Sequence, residues 1–237
     1  MEELERKIKA LKLGRTLDVA TGQGAFVEAI TRDFGGYDRV TAIDINAAYG
    51  AAVRANFADV NVAFAAMDAA AMAFPDDTFD SACLSCSLHH MADEAAVLAE
   101  MKRVVRPGGL VIIHEMYADA ADARRRTHVL LHAWWAKVDR LRGITHKATY
   151  QEKDLRAFVA ATALADVDII AYAEPLAAAD ETYVRAHVDT VDACLAKARG
   201  LPEYAELERE GAVLKDRLAT VGIAPPPALF IVGRKPG

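Results

Sequence analysis

The chain has 237 residues, enough for one well-buried α/β domain with an appendage and short of two full domains. Its formal charge of −6 disfavours nucleic acid and anionic membrane as partners, and no window approaches the roughly twenty apolar residues of a spanning helix. Three cysteines make no disulfide framework, and the start of the chain is acidic where a leader would be basic, so a cytoplasmic protein is expected.

Residues 1–13 read as a short charged helix leading into a first strand. Thr16-Leu17-Asp18-Val19-Ala20-Thr21-Gly22-Gln23-Gly24-Ala25-Phe26 is a buried strand running into a glycine turn and a helix start. Phe26, Val27, Ile30 and Phe34 continue that helix at helical spacing, and Gly35-Gly36 ends it. Val40 to Asp44 is a second apolar strand ending in an acid, the arrangement that grips a ribose between backbone and carboxylate. A helix over 47–57, a strand over 60–66 and a strand over 81–87 follow. The next helix carries Val97, Leu98, Met101, Val104 and Val105 on one face and stops at Arg106-Pro107-Gly108-Gly109. Leu110 to Ile113 is a continuous apolar run, as in a central strand buried on both faces. Strand and helix alternate this far, which predicts a doubly wound, mostly parallel α/β sheet with its ligand crevice at the strands' carboxyl ends.

Beyond residue 117 the alternation loosens. A helix is expected over 124–140, another after the capping-box spacing of Thr149 and Glu152, and a strand over 167–173. Two more helices, one from Asp180 and one around Leu207 to Val221, precede a last strand at Ala228 to Val232. The expected organisation is one domain over 1–237: a cofactor-binding half at 14–117, a helical cover at 118–165 and a helical insertion at 176–224.

Leu17 to Gly24 resembles the nucleotide loop of the class I S-adenosylmethionine-dependent methyltransferases, in their small-molecule, methyltransferase-11-like branch. Asp44 falls at that family's ribose acid, and Met67-Asp68-Ala69 resembles its adenine segment. Phe79 to His90 resembles its fourth strand and loop, and Glu100 to Gly109 its helix-turn before strand five. Ala20 stands where many members have glycine. The resemblance implies a Rossmann-like sheet of seven strands, here with about fifty residues of helical insertion before the seventh. It also implies S-adenosyl-L-methionine as cofactor, S-adenosyl-L-homocysteine as product and a small-molecule acceptor. Cofactor contacts are carried over to Asp18, Ala20, Thr21, Gly22, Gly24, Asp44, Ile45, Met67, Asp68, Ala69, Cys86 and Ser87.

Methyl transfer from a sulfonium needs alignment and water exclusion, and a base only where the acceptor carries a proton. His89, His114, Glu115 and Tyr117, at the ends of strands four and five, are the candidate catalytic groups. Alternation along an extended segment lets only some of them face one pocket. His90, His128, His132, Trp135 and His146 are candidate acceptor contacts, the helix at 124–140 serving as a lid or as a plain cover helix. His128 and His132, four apart, share a helix face and could ligate a metal, but no carboxylate or thiolate has a companion spacing and no metal is expected. Cys83 and Cys86 read as buried, inert thiols. The insertion suits either a homodimer surface or part of a lid. Alternatives are an NAD-dependent oxidoreductase, since Gly22, Gly24 and Asp44 also fit a dinucleotide pattern, and a catalytically silent cofactor-binding partner subunit.

Overall fold

In the computed structural model, residues 1–120, 122–176 and 180–237 are described, and they form two compact units. The first comprises Met1–Glu115, Leu155–Tyr172 and Leu229–Gly237; the second comprises Met116–Asp154 and Ala173–Ala228. Chain order is α1 (Glu2–Ala10), β1 (Gly14–Val19), α2 (Ala25–Asp33), β2 (Tyr37–Asp44), α3 (Tyr49–Asn56), β3 (Val62–Ala66), β4 (Phe79–Ser85), a 3-10 turn (Leu88–His90), α4 (Glu94–Val104) and β5 (Val105–Met116). It continues with α5 (Ala123–Leu141), α6 (Glu152–Ala161), β6 (Ala165–Tyr172), α7 (Glu181–Ala198), α8 (Tyr204–Thr220) and β7 (Ala228–Arg234).

The first unit is built on a seven-stranded sheet of order β3-β2-β1-β4-β5-β7-β6, with β7 antiparallel. The parallel strands β1, β2 and β4 align Val19 with both Ile43 and Leu84. Neighbours such as Ala42 and Ile43, or Ile112 and Ile113, are all buried, so both faces of the sheet are covered and the continuous apolar runs are explained. One face packs Leu4, Leu11 and Leu13 with Val27 and Ile30 of α2 against Val40, Cys83, Ile112 and Phe230. Strand order reverses between β1 and β4, which opens a crevice beyond their carboxyl ends.

Two local expectations are revised. β5 begins directly after α4, so Arg106 to Gly109 lie within a strand rather than a turn. There Gly108 N–H donates to Lys235 O, and Lys235 N–H to Gly109 O, fastening β5 to the end of β7. The capping box does not form: the Glu152 amide donates to Asp119 Oδ2 at 2.7 Å, while the Thr149 hydroxyl pairs with His132 Nδ1 at 3.1 Å.

The second unit packs α5, α7 and α8 around Leu131, Trp134, Val138, Val191, Cys194, Leu207, Leu214 and Leu218. Asp122 and Asp180 cap α5 and α7, each accepting from two amides of the first turn. No helix among the described residues is long and apolar enough to cross a membrane.

Candidate active site

The cofactor candidates of the first unit converge through hydrogen bonds at the ends of β1, β2 and β4. Asp44 closes β2 and accepts from the Gly22 amide at 2.9 Å (Oδ2) and the Asn46 amide at 2.8 Å (Oδ1), which pins the glycine loop to the next strand. An ionised carboxylate has about four lone-pair sites, so acceptor capacity is left for two hydroxyls. The Thr21 amide donates to Ile43 O, and Met67 N–H to Asp44 O, which brings the adenine-segment candidates to the same strand end. Asp68 is exposed and spends one oxygen on the Ala70 amide; Ala69 is buried and Met67 half-buried. Ile45 is 76% exposed, directly beyond Asp44. On the other flank, Ser87 donates to Ser85 O at 2.8 Å and lies 3.4 Å from Ala20 O, linking the exit of β4 to that of β1.

The loop itself is left-handed. Ala20, Gly22 and Gly24 have φ of 55°, 54° and 95°. A Cβ on Gly22 would meet nothing within 4 Å, so backbone is presented bare, whereas one on Gly24 would sit 2.4 Å from the Phe57 ring. Ala20 holds its strained angle without a glycine's freedom. The segment before β4 is latched by Arg103, which donates to Met72 O, Phe74 O, Asp76 and Glu100.

Asp18 lies at the base of this loop and is buried, and its Oδ2 has no hydrogen-bond partner among the described residues. Burial pushes its carboxyl up to about 7; the Thr21 hydroxyl, short of full hydrogen-bond geometry, pulls it down, and the Asp44 charge pushes it further up. A buried, unsatisfied acid beside a second acid is arranged to receive a cation.

Alternation along β5 separates the catalytic candidates. His114 has Nδ1 2.8 Å from Ser85 Oγ and Nε2 2.7 Å from the Tyr172 hydroxyl, and its ring lies nearly parallel to those of Phe26 and Tyr172. Burial lowers its pKa, so the ring is neutral at pH 7. Glu115, fully buried, accepts from the Leu88 amide at 2.8 Å and pairs with His89 Nδ1 at 3.1 Å. His90 is exposed, its ring 4.4 Å from that of His89. Cys83 is buried, as expected; Cys86 is instead exposed, because β4 ends at Ser85 and Cys86 turns out at φ 45°, its Sγ 3.8 Å from His114 Nδ1.

The remaining candidates belong to the second unit. Tyr117 is buried and bridges to Tyr150. His132 and His146 meet with their Nε2 atoms 3.1 Å apart, and Trp135 packs edge-on against His146. His128 takes other company: its ring lies 5.4 Å from His187, and burial with that neighbour lowers its pKa to about 4. Sequence reasoning missed Asp139, which holds His146 Nδ1 at 2.8 Å, and Tyr172, Thr149 and Arg103. None carries a spacing signal toward these partners except Arg103 toward Glu100, three residues before it.

The family model described as a methyltransferase domain matches residues 17–113. Curated relatives include the ubiquinone/menaquinone biosynthesis C-methyltransferases of Hahella chejuensis, 34% identical over 103 residues (42% of this chain, 41% of that one), and of Shewanella halifaxensis, 31% identical over 120 residues (49% and 48%). The alignments thus span less than half the length of these relatives. Among solved structures, the BH2331 protein of Bacillus halodurans C-125 superposes with a TM-score of 0.66 at 17% identity, over 99% of this chain and 98% of that one. Phosphoethanolamine N-methyltransferase 2 of Haemonchus contortus, solved with S-adenosyl-L-methionine, gives 0.58 at 16%, over 100% and 52%. At such identities the likeness is one of fold. The antiparallel β7 between β5 and β6 also sets the sheet apart from the dinucleotide-binding order. Residues 17–113 match a methyltransferase domain, and over that stretch the chain is similar to the class I S-adenosylmethionine-dependent methyltransferases.

Proposed function

We propose that this chain binds S-adenosyl-L-methionine at the ends of β1, β2 and β4 and transfers its methyl group to a small-molecule acceptor. The observation that carries the reading is the orphaned, buried Asp18 carboxylate beside the Asp44-pinned glycine loop. A cofactor with a cationic amino-acid end and a ribose diol answers both features at once.

In this reading Asp44 holds the ribose hydroxyls, Asp68 the adenine amine and Asp18 the cationic end, while bare backbone at Gly22 permits close approach. The bound cofactor supplies an activated methyl with its own leaving group, so the protein's work is alignment and exclusion of water. Glu115, deeply buried, takes the Nδ1 proton of His89 in a hydrogen bond. That fixes the tautomer in which Nε2 accepts, and His89 would serve an acceptor that must shed a proton. His114, with both ring nitrogens engaged by Ser85 and Tyr172, supports the loop rather than the chemistry.

Calorimetric titration with S-adenosyl-L-homocysteine and with NADH tests the cofactor, and incubation of metabolite pools with methyl-labelled cofactor tests the transfer. Label appearing in a small molecule is expected. Tight cofactor binding with no labelled product in any pool would favour the silent partner subunit.

A further inference from the structure

The geometry points to a binding site for a divalent transition-metal ion of the zinc class in the second unit, ligated by Nε2 of His132 and Nε2 of His146. These two nitrogens face each other at 3.1 Å, and the rings stand nearly perpendicular at 77°. Two nitrogens bound tetrahedrally to one ion at 2.0–2.1 Å would lie about 3.3 Å apart, so the pair needs only a small adjustment to share it.

The second observation is what the other ring nitrogens do. His146 Nδ1 is 2.8 Å from Asp139 Oδ2, and His132 Nδ1 is 3.1 Å from the Thr149 hydroxyl. Metal-bound histidines characteristically donate their remaining N–H to a carboxylate or another oxygen, which sets the ring and raises its basicity. Asp139 is in turn held by Arg142 at 3.1 Å, and Arg140 donates to His146 O at 2.8 Å. Both imidazoles are buried, His132 5% and His146 1% exposed, with the Trp135 ring against His146. The ligands and their outer partners are thus positioned in advance by α5 and the segment that follows it.

The proton inventory is consistent with this assignment. With no metal, His146 donates from Nδ1 to Asp139, His132 donates from Nε2 to His146, and Thr149 donates to His132 Nδ1. With metal, the His132 proton moves to Nδ1 and the Thr149 hydroxyl turns to accept it, so both Nε2 lone pairs point at the ion without any net proton release. Nitrogen donors of this type suit zinc, cobalt or nickel rather than magnesium or calcium.

The test uses the full chain without an affinity tag, stripped with a chelator and titrated with Co2+ and then Zn2+. One equivalent of Co2+ should bind with the visible bands of nitrogen ligation and be displaced by Zn2+. His132→Gln and His146→Gln should each lower affinity at least 100-fold, and Asp139→Asn 10–100-fold. Imidazole nitrogen NMR of the unaltered chain, which no failure of a variant to fold can compromise, should show the His132 proton shifting from Nε2 to Nδ1 on Zn2+ addition. The assignment is overturned if the stripped chain shows no saturable one-equivalent binding, if binding survives both histidine substitutions, or if the His132 and His146 resonances ignore the metal.

Discussion

Replacing Asp18 with asparagine should reveal an ionisation penalty built into the cofactor-free protein. Burial raises this carboxyl from 3.8 to about 7. Between those values the folded chain keeps a proton that the unfolded chain sheds, so stability is fully present below pH 3.8 and falls as pH rises to about 7. Each pH unit across the shift is worth about 1.4 kcal/mol, and the shift of about three units sets a ceiling of about 4 kcal/mol. The amide mimics the protonated acid in shape and does not titrate. Urea midpoints of the cofactor-free parent and variant, measured from pH 4.5 to 8.5, should therefore converge at the acid end, with the variant increasingly the more stable toward pH 7 and a constant gap above it. Titrated with S-adenosyl-L-homocysteine, the parent should bind more tightly as pH rises toward 7, by up to about tenfold per unit, because a cation beside Asp18 favours its charged form. The variant should bind weakly at every pH. A gap between parent and variant that does not change with pH, or one that widens toward acid, would refute this account of Asp18.

Asp44→Ala removes the acceptor of the Gly22 and Asn46 amides together with the proposed ribose contact, and should weaken S-adenosyl-L-homocysteine binding by about 1.5–3 kcal/mol in calorimetry. Ala20→Gly relieves a left-handed angle of 55° that costs alanine about 1–2 kcal/mol, against a smaller entropic loss. A gain of about 0.5 kcal/mol in denaturant unfolding is expected, and a loss would place the strain elsewhere. Glu115→Ala removes the acceptor of the Leu88 amide and the partner of His89 Nδ1; unfolding by chemical denaturant should show a cost of about 2–3 kcal/mol, and unchanged stability would contradict the buried pairing.

Much of the first unit was legible because its signals are local. Uninterrupted apolar runs mark strands buried on both faces, and Asp44 announces itself by closing such a run before a helix. The glycine loop and the segment at Met67 to Ala69 are likewise short local stretches, legible without any remote partner. What stayed hidden depends on partners that are remote in sequence. His128 and His132 share a helix face, yet one finds His187 on α7 and the other finds His146 and Thr149. The amide that opens α6 is taken by Asp119, so a correct capping spacing at Thr149 was outcompeted by a tertiary contact. Cys86 misled for a simpler reason: strand parity holds only inside the strand, and β4 stops one residue earlier.

The order β5-β7-β6 places β7 between two strands that are made before it. During synthesis β6 emerges with no neighbour to pair with, and α7 and α8 follow before β7 arrives to join it to β5. The sheet can therefore be completed only once β7 has been made, at roughly 5–20 residues per second. Until then an unpaired edge is exposed on β5, so β7 acts as a latch on assembly, and removing it should leave the first unit prone to aggregation.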